Sequence, residues 1–255
     1  MDSRDTRRNL NARGAEVLLR LEGVHTDIGQ YQILHGIDLT VRRGRVTMLL
    51  GRNGAGKTTT LRTIMGLWRA RAGSIEFEGQ PLVGRATPEI ARLGIAYVPE
   101  NMGIFSALTV RENLLLATGP RGFDAPRLER VFERFPALRL KWDAQAGLLS
   151  GGQKQMLAIA RALVEPRRLL IVDEPTKGMS PAMVDQFITA LLAVKAEQTT
   201  LLLVEQNFRV AQAMGDDVAV IDQGRVVHAG AMAELNADES LQQRLLGLSL
   251  GATDK

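Results

Sequence analysis

The chain contains no cysteine in 255 residues, so disulfides and thiolate metal sites are excluded. Its three histidines, His25, His35 and His228, are scattered without metal-ligand spacing and read as structural or surface residues. Long hydrophobic runs are missing as well. The longest, such as Leu201 to Val204, are strand-sized, far from the roughly 20 residues that span a bilayer. Work at a membrane would therefore require a partner. A strong charge of one sign is also lacking. Lys plus Arg is 32 against 28 for Asp plus Glu, net +4. That balance suits nucleotide phosphates or an anionic membrane face nearby and is too small to argue for nucleic acid. The opening MDSRDTRRNLNARGAE has no apolar core of the secretory kind, and residues 1–14 are expected to form a disordered tail.

What is present suits one large domain or two closely packed lobes, since 45% of residues are hydrophobic. Glu16 to Leu21, Gly36 to Val41, Val46 to Leu50 and Ser74 to Phe77 read as strands, and Lys57 to Leu67 as a helix. A short helix at Glu89 to Leu93 leads into the strand Ile95 to Val98. From Val110 to Phe135 the spacing turns helical, broken at Gly119 to Gly122 into two helices. Strand and helix then alternate: Leu169 to Val172, Ala182 to Val194, Leu201 to Val204, Phe208 to Met214. A hairpin turns at Asp222, Gln223 and Gly224, and Asp238 to Leu248 reads as a docking amphipathic helix. Near-continuous apolar strands alternating with helices predict a parallel sheet covered on both faces. The helical block before Leu149 reads as an inserted lobe, with Trp68 and Trp142 at lobe edges.

Two motifs carry chemistry. Val46 to Leu50 runs into GRNGAGKTT, Gly51 to Thr59, which fits G-x-x-x-x-G-K-[ST] with a strand before and a helix after. The loop Gly51, Arg52, Asn53, Gly54, Ala55, Gly56, Lys57, Thr58 and Thr59 can wrap a phosphate with successive backbone N–H groups. The new helix points its positive end at the same anion. Lys57 would reach the terminal phosphates and the Thr58 hydroxyl would ligate Mg²⁺. Further along, Leu169 to Val172 ends in Asp173 and Glu174, then Pro175. On its own this could be an ordinary strand end. Beside a phosphate loop, Asp173 is a candidate Mg²⁺ ligand and Glu174 a candidate base for a water in line with the γ-phosphate.

LLSGGQKQM, Leu148 to Met156, sets two glycines at the start of a helix whose apolar face is Met156, Leu157, Ala160, Leu163 and Val164. Glycine costs about 1 kcal/mol inside a helix and far less in its first turn. Bare N–H groups and the Ser150 hydroxyl there predict a second phosphate-binding end. Since one chain already supplies a phosphate loop, this end is expected to face the nucleotide of another subunit.

Leu149-Ser150-Gly151-Gly152-Gln153, the strand ending in Asp173-Glu174, and Gly51 to Thr59 together resemble the ATP-binding subunit of ABC transporters, over Val17 to Leu246. The resemblance implies an α/β fold: a RecA-like P-loop NTPase core, an antiparallel β-subdomain, and an α-helical subdomain inserted at about 101–165 of a domain running 15–255. It implies ATP and Mg²⁺, and head-to-tail dimers in which Ser150, Gly151, Gly152 and Gln153 close on the other subunit's ATP. Carried over by position, Glu100 stands where the family usually has Gln and would approach Mg²⁺ with added negative charge. Gln206 stands at the switch position that is usually His, and Ser180 where an Asp is usual. Ile28 falls at the expected adenine-stacking aromatic, with Tyr31 nearby.

Tyr97-Val98-Pro99-Glu100, Leu108 to Leu114 and Val204-Glu205-Gln206-Asn207 are similar to the branched-chain or hydrophobic amino acid uptake branch, in the subunit bearing Gln at the switch. That implies a peripheral protein on the cytoplasmic membrane face. Its partners would be a second ATPase subunit, two permease subunits and, indirectly, an extracytoplasmic solute-binding protein, with no nucleic acid. Urea or short-amide importers, an exporter ATPase of the lipopolysaccharide type, and a soluble ABC protein remain open alternatives. The cargo never touches this chain, so no residue reports it.

Overall fold

Two long strands, β1 (Val17–Ile28) and β2 (Tyr31–Arg42), pair antiparallel at the start of the described chain. The structure is a computed structural model that describes residues 16–120 and 122–247; the expected N-terminal tail and Leu248 lie outside these. Next come β3 (Val46–Leu50) and α1 (Lys57–Ile64), then β4 (Ala70–Phe77) and the short β5 (Gln80–Pro81), which return to the first sheet. α2 (Thr87–Arg92) leads into β6 (Ile95–Val98). A helical stretch follows: α3 (Val110–Leu115), α4 (Ala125–Arg134), α5 (Pro136–Leu140) and α6 (Gly151–Leu163). Alternation resumes with β7 (Leu169–Asp173), α7 (Pro181–Ala196), β8 (Thr200–Val204) and α8 (Phe208–Met214). The hairpin of β9 (Asp217–Asp222) and β10 (Arg225–Ala231) precedes α9 (Met232–Ala237) and α10 (Glu239–Leu246).

The strands form two sheets. One is antiparallel, in the order β2-β1-β4-β5. The other is ordered β10-β9-β3-β8-β7-β6, parallel throughout except for the edge strand β10. Every residue of β3, β7 and β8 is buried, as expected for strands covered on both faces. Successive side chains point into different cores. Met48 belongs to the core shared with the helices, whereas Leu49 belongs to the core under the antiparallel sheet. The helical stretch is continuous with the first of these: Val131, Phe132 and Phe135 share a buried cluster with Met48, Leu170 and Leu203, joined through Leu157, Ile159 and Ala160 of α6. Trp142 packs on Phe123 and Phe132, with ring centroids 5.5 and 5.3 Å away.

Several elements differ from expectation. β1 continues past Leu21 to Ile28, and β2 starts at Tyr31 rather than Gly36. Their added segments mix buried Val24, Thr26 and Leu34 with Glu22, Gly23, His25, Asp27 and Gln32, so the apolar alternation that marks a strand is interrupted there. α1 stops at Ile64, before the chain turns at Gly66 with φ of +69°. The short elements β5, α5 and α9 carry too few residues to produce a period.

β1 bulges at Gly23, where its pairing with β4 shifts between Glu22 and His25. Gly73 of β4 faces this bulge at φ of +89°, and a Cβ placed there would lie 2.3 Å from the Gly23 carbonyl oxygen. Gly73→Ala should therefore destabilise the fold by about 2–3 kcal/mol in urea unfolding; unchanged stability would mean that the two strands do not approach this closely.

Candidate functional site

Parallel register brings three strand ends together. Leu49 pairs with Val204 and Asp173 with Val204, so the segments following β3, β7 and β8 emerge side by side. Backbone bonds extend the register beyond the strands: Glu174 N–H donates to the Val204 carbonyl at 3.0 Å and Glu205 N–H to the Leu49 carbonyl at 3.3 Å. Ligands of open α/β sheets bind at such carboxyl ends.

The loop after β3 is shaped by its first glycine. Gly51 adopts φ of +148°, and a Cβ there would lie 2.2 Å from the Ile221 carbonyl oxygen of β9. The chain then enters α1, whose first turn has no acidic residue and no side-chain cap, leaving its positive end uncompensated. Lys57 is only 4% exposed. Its ammonium donates to the carbonyls of Gly51 (2.8 Å) and Arg52 (3.1 Å) and lies 3.3 Å from Glu174 Oε1.

Asp173 and Glu174 are adjacent and differently held. The Thr58 hydroxyl donates to Asp173 Oδ1 at 3.1 Å, and the Tyr97 hydroxyl donates to Oδ2 at 3.2 Å. Burial pushes the Asp173 carboxyl above its ordinary value, and those two bonds pull it part of the way back. Burial, followed by the nearby Asp173 charge, raises the Tyr97 phenol as well, keeping it a donor. Glu174 has φ of +46°, a left-handed conformation uncommon for a non-glycine residue and a mark of strain held by its surroundings. The Gln206 amide donates to Glu174 Oε1 at 2.7 Å. Two candidates read separately from sequence are thus hydrogen-bonded.

Beneath them lies Glu205, 2% exposed. Its Oε1 accepts from the Thr176 N–H (3.1 Å) and hydroxyl (2.8 Å), and its Oε2 from the N–H groups of Gln206 (3.2 Å) and Asn207 (3.4 Å). One buried carboxylate thereby clamps the segment after Glu174 to the segment carrying Gln206. The sequence reading passed over Glu205 as a site residue, as it did Tyr97 and Lys177. The available signal was an acid directly following an all-apolar strand, which is costly unless it is hydrogen-bonded.

A hollow of about 350 Å³ runs along the phosphate loop, walled by Asn53, Gly54, Gly56, Lys57, Thr58 and Thr59, by Ile28 and Ile33, and by Glu100, Glu174 and Lys177. Tyr31 does not line it and is 66% exposed. A larger hollow of about 570 Å³ opens between the two sheets, but its charged walls include the ion pairs Arg20–Glu22 and Arg42–Asp217, and no phosphate-loop residue reaches it. The smaller one is the functional candidate because a helix end, a lysine and two acids meet there. No cluster of three or more His, Asp or Glu able to hold a metal occurs among the described residues. The Thr58 hydroxyl and Asp173 carboxylate are hard oxygen donors that fit Mg²⁺ arriving with phosphates, which needs only one or two protein ligands.

Ser150, Gly151, Gly152 and Gln153 are not walls of this hollow. They cap α6: Ser150 Oγ accepts from the Gln153 N–H at 3.3 Å, and Gln153 Oε1 accepts from the Ser150 N–H at 3.1 Å. The two glycines of this helix end, both expected to approach phosphate, have different surroundings. Gly151 is exposed, with open space where a Cβ would stand. Gly152 is buried, and a Cβ there would lie 2.0 Å from Met183 Cε, the flexible end of a side chain of α7.

The profile of the ABC transporter family matches residues 34–177, more than half of the chain. This chain belongs to the ABC transporter family. The cassette is 38% identical over 236 residues to the high-affinity branched-chain amino acid transport ATP-binding protein BraG of Pseudomonas aeruginosa, covering 90% of this chain and all of that one. It is 33% identical to the probable branched-chain amino acid transport ATP-binding protein LivF of Archaeoglobus fulgidus, covering 91% and 99%. It superposes on the ADP conformation of MJ1267, an ATP-binding cassette of an ABC transporter, with a TM-score of 0.76 at 25% identity, covering 91% and 99%. The cassette is an ATPase with the P-loop α/β fold expected from its sequence.

Burial also raises the Glu205 carboxyl of the cassette above its ordinary 4.5, with the Thr176 bonds offsetting part of the rise. The folded chain then holds more protons than the unfolded one between the two values. This contribution to stability is full below 4.5 and is lost as pH climbs through the raised value. Urea melts across that window should show a flatter pH dependence in Glu205→Gln than in wild type; parallel slopes would assign the titration to another group.

Proposed function

We propose that this cassette powers a membrane importer of branched-chain or other hydrophobic amino acids. The chemical half of the reading rests on one observation: Glu174, bonded to the Gln206 amide and beside the Lys57 ammonium, at the mouth of the phosphate-loop hollow. The transport half is supported by the full-length likeness to BraG and LivF, whose names specify branched-chain amino acid transport. The positions of Glu100 and Gln206 favour the same branch over an exporter.

In this reading the N–H groups from Gly54 to Thr59 bind the phosphates of ATP, and Lys57 turns its ammonium from the loop carbonyls to the terminal phosphates. Ile28 and Ile33 give the nucleotide an apolar wall in place of an aromatic. Thr58 and Asp173 would hold Mg²⁺, with Glu100 near it, and the ion would supply positive charge against the phosphates. Glu174 accepts the proton of the attacking water. Gln206 orients that carboxylate and offers its second amide hydrogen toward the γ-phosphate, a donor that does not titrate. Ser150, Gly151, Gly152 and Gln153 close on ATP held by a second cassette, with the α6 end as donor.

No helix among the described residues is long and apolar enough to cross a membrane. In this reading the cassette acts at the cytoplasmic face with two permease subunits, while a solute-binding protein delivers cargo from the other side.

Glu174→Gln should retain ATP binding, lose at least about 100-fold in turnover, and elute as a dimer with ATP on a sizing column. Turnover near that of wild type would remove Glu174 as the base. The cargo is tested in proteoliposomes carrying the purified cassette–permease complex: a leucine-loaded binding protein should stimulate ATP hydrolysis, and a urea-loaded one should not. Stimulation by urea alone would move the cassette to the short-amide branch.

A further inference from the structure

Two acids and two lysines line the phosphate-loop hollow: Glu100, Glu174, Lys57 and Lys177. Lys57 is committed to two loop carbonyls and to Glu174 Oε1. Lys177 is placed differently. Its ammonium lies 2.5 Å from Glu100 Oε1 and 3.7 Å from Glu174 Oε2, spanning the two acids across the mouth of the hollow. Its side chain is 59% exposed and, among the described residues, these carboxylates are its only side-chain partners, so it can swing away. Asp173 lies beside Glu174 and brings a third acid to the same end. Without Lys177, Glu100 would add an unbalanced negative charge where polyphosphate must enter.

We propose that Lys177 is a built-in counter-cation that bridges Glu100 and Glu174 and sets how strongly nucleotide binding depends on a divalent metal. The inference rests on the ATP reading above. With no metal, the ammonium offsets the repulsion between Glu100 and the phosphates. When a divalent cation enters with the nucleotide, it supplies that neutralisation, and its charge repels Lys177 from the position between the carboxylates. Lys177 is thus a positioning residue for the metal–nucleotide pair, outside the bond-breaking chemistry.

The experiment measures ATP affinity of the full-length protein by calorimetry, in EDTA and in saturating Mg²⁺, and takes the ratio of the two dissociation constants. Lys177→Met should raise this ratio about threefold to fivefold, the scale of one solvent-exposed charge interaction. Lys177→Arg should keep the ratio of wild type. The double variant Glu100→Gln, Lys177→Met should return it toward wild type, because the acid that needed balancing is gone. A merely structural role would move both affinities together and leave the ratio alone. A ratio unchanged in Lys177→Met, while Lys57→Ala abolishes ATP binding, overturns the inference and leaves the ATP reading intact. Absence of ATP binding by the wild type in either buffer overturns both.

Discussion

Parallel pairing of β3, β8 and β7 is the constraint from which the site follows. It places Leu50, Val204 and Asp173 at one edge of the sheet, so that the phosphate loop, the Gln206 segment and Glu174 leave the core within bonding distance of one another. The backbone bonds of Glu174 and Glu205 to the neighbouring strands carry that register one residue beyond the sheet, where polar side chains replace apolar ones. A slip of one residue would send Met48 and Leu49 into each other's cores, so burial on both faces holds the register and the register holds the chemistry.

The site stores charge under burial. Lys57, Asp173, Glu174 and Glu205 are all buried, and an unpaired buried charge costs several kcal/mol. Each is therefore bonded: Lys57 to loop carbonyls and Glu174, Asp173 to Thr58 and Tyr97, Glu205 to four donors on two segments. These bonds orient the same groups that the proposed chemistry uses. Desolvation is the largest influence on both Asp173 and Glu205, which shows how far the strand ends are withdrawn from water before any phosphate arrives. Glu100 and Lys177 lie outside this buried set, at the exposed mouth, where charges can separate at low cost.

The adjacent glycines of α6 have unlike surroundings. Gly151 is exposed, whereas Gly152 is buried against the side chain of Met183 of α7. The same helix forms the wall between the sheet and the helices α3 to α5, so one cluster of buried residues runs through all of them. The helix α6 and the strand β7 that ends in Asp173 therefore share a core.

The phosphate loop, the acid pair and the capped start of α6 were legible in the sequence because each is a local pattern: residue type, spacing, and a strand or helix beside it. So was the alternation that predicts a sheet covered on both faces. The full extents of β1 and β2 were not, since Val24, Ile33 and Leu34 stand among polar residues and glycines that interrupt the apolar alternation. Nor were the roles of Tyr97, Glu205 and Lys177, whose partners lie 76, 29 and 77 positions away along the chain. Local sequence determined which groups are candidates to hold phosphate. Tertiary structure alone decided which carboxylate meets which donor, because those contacts arise where separate strands end together and only the folded register brings them within reach.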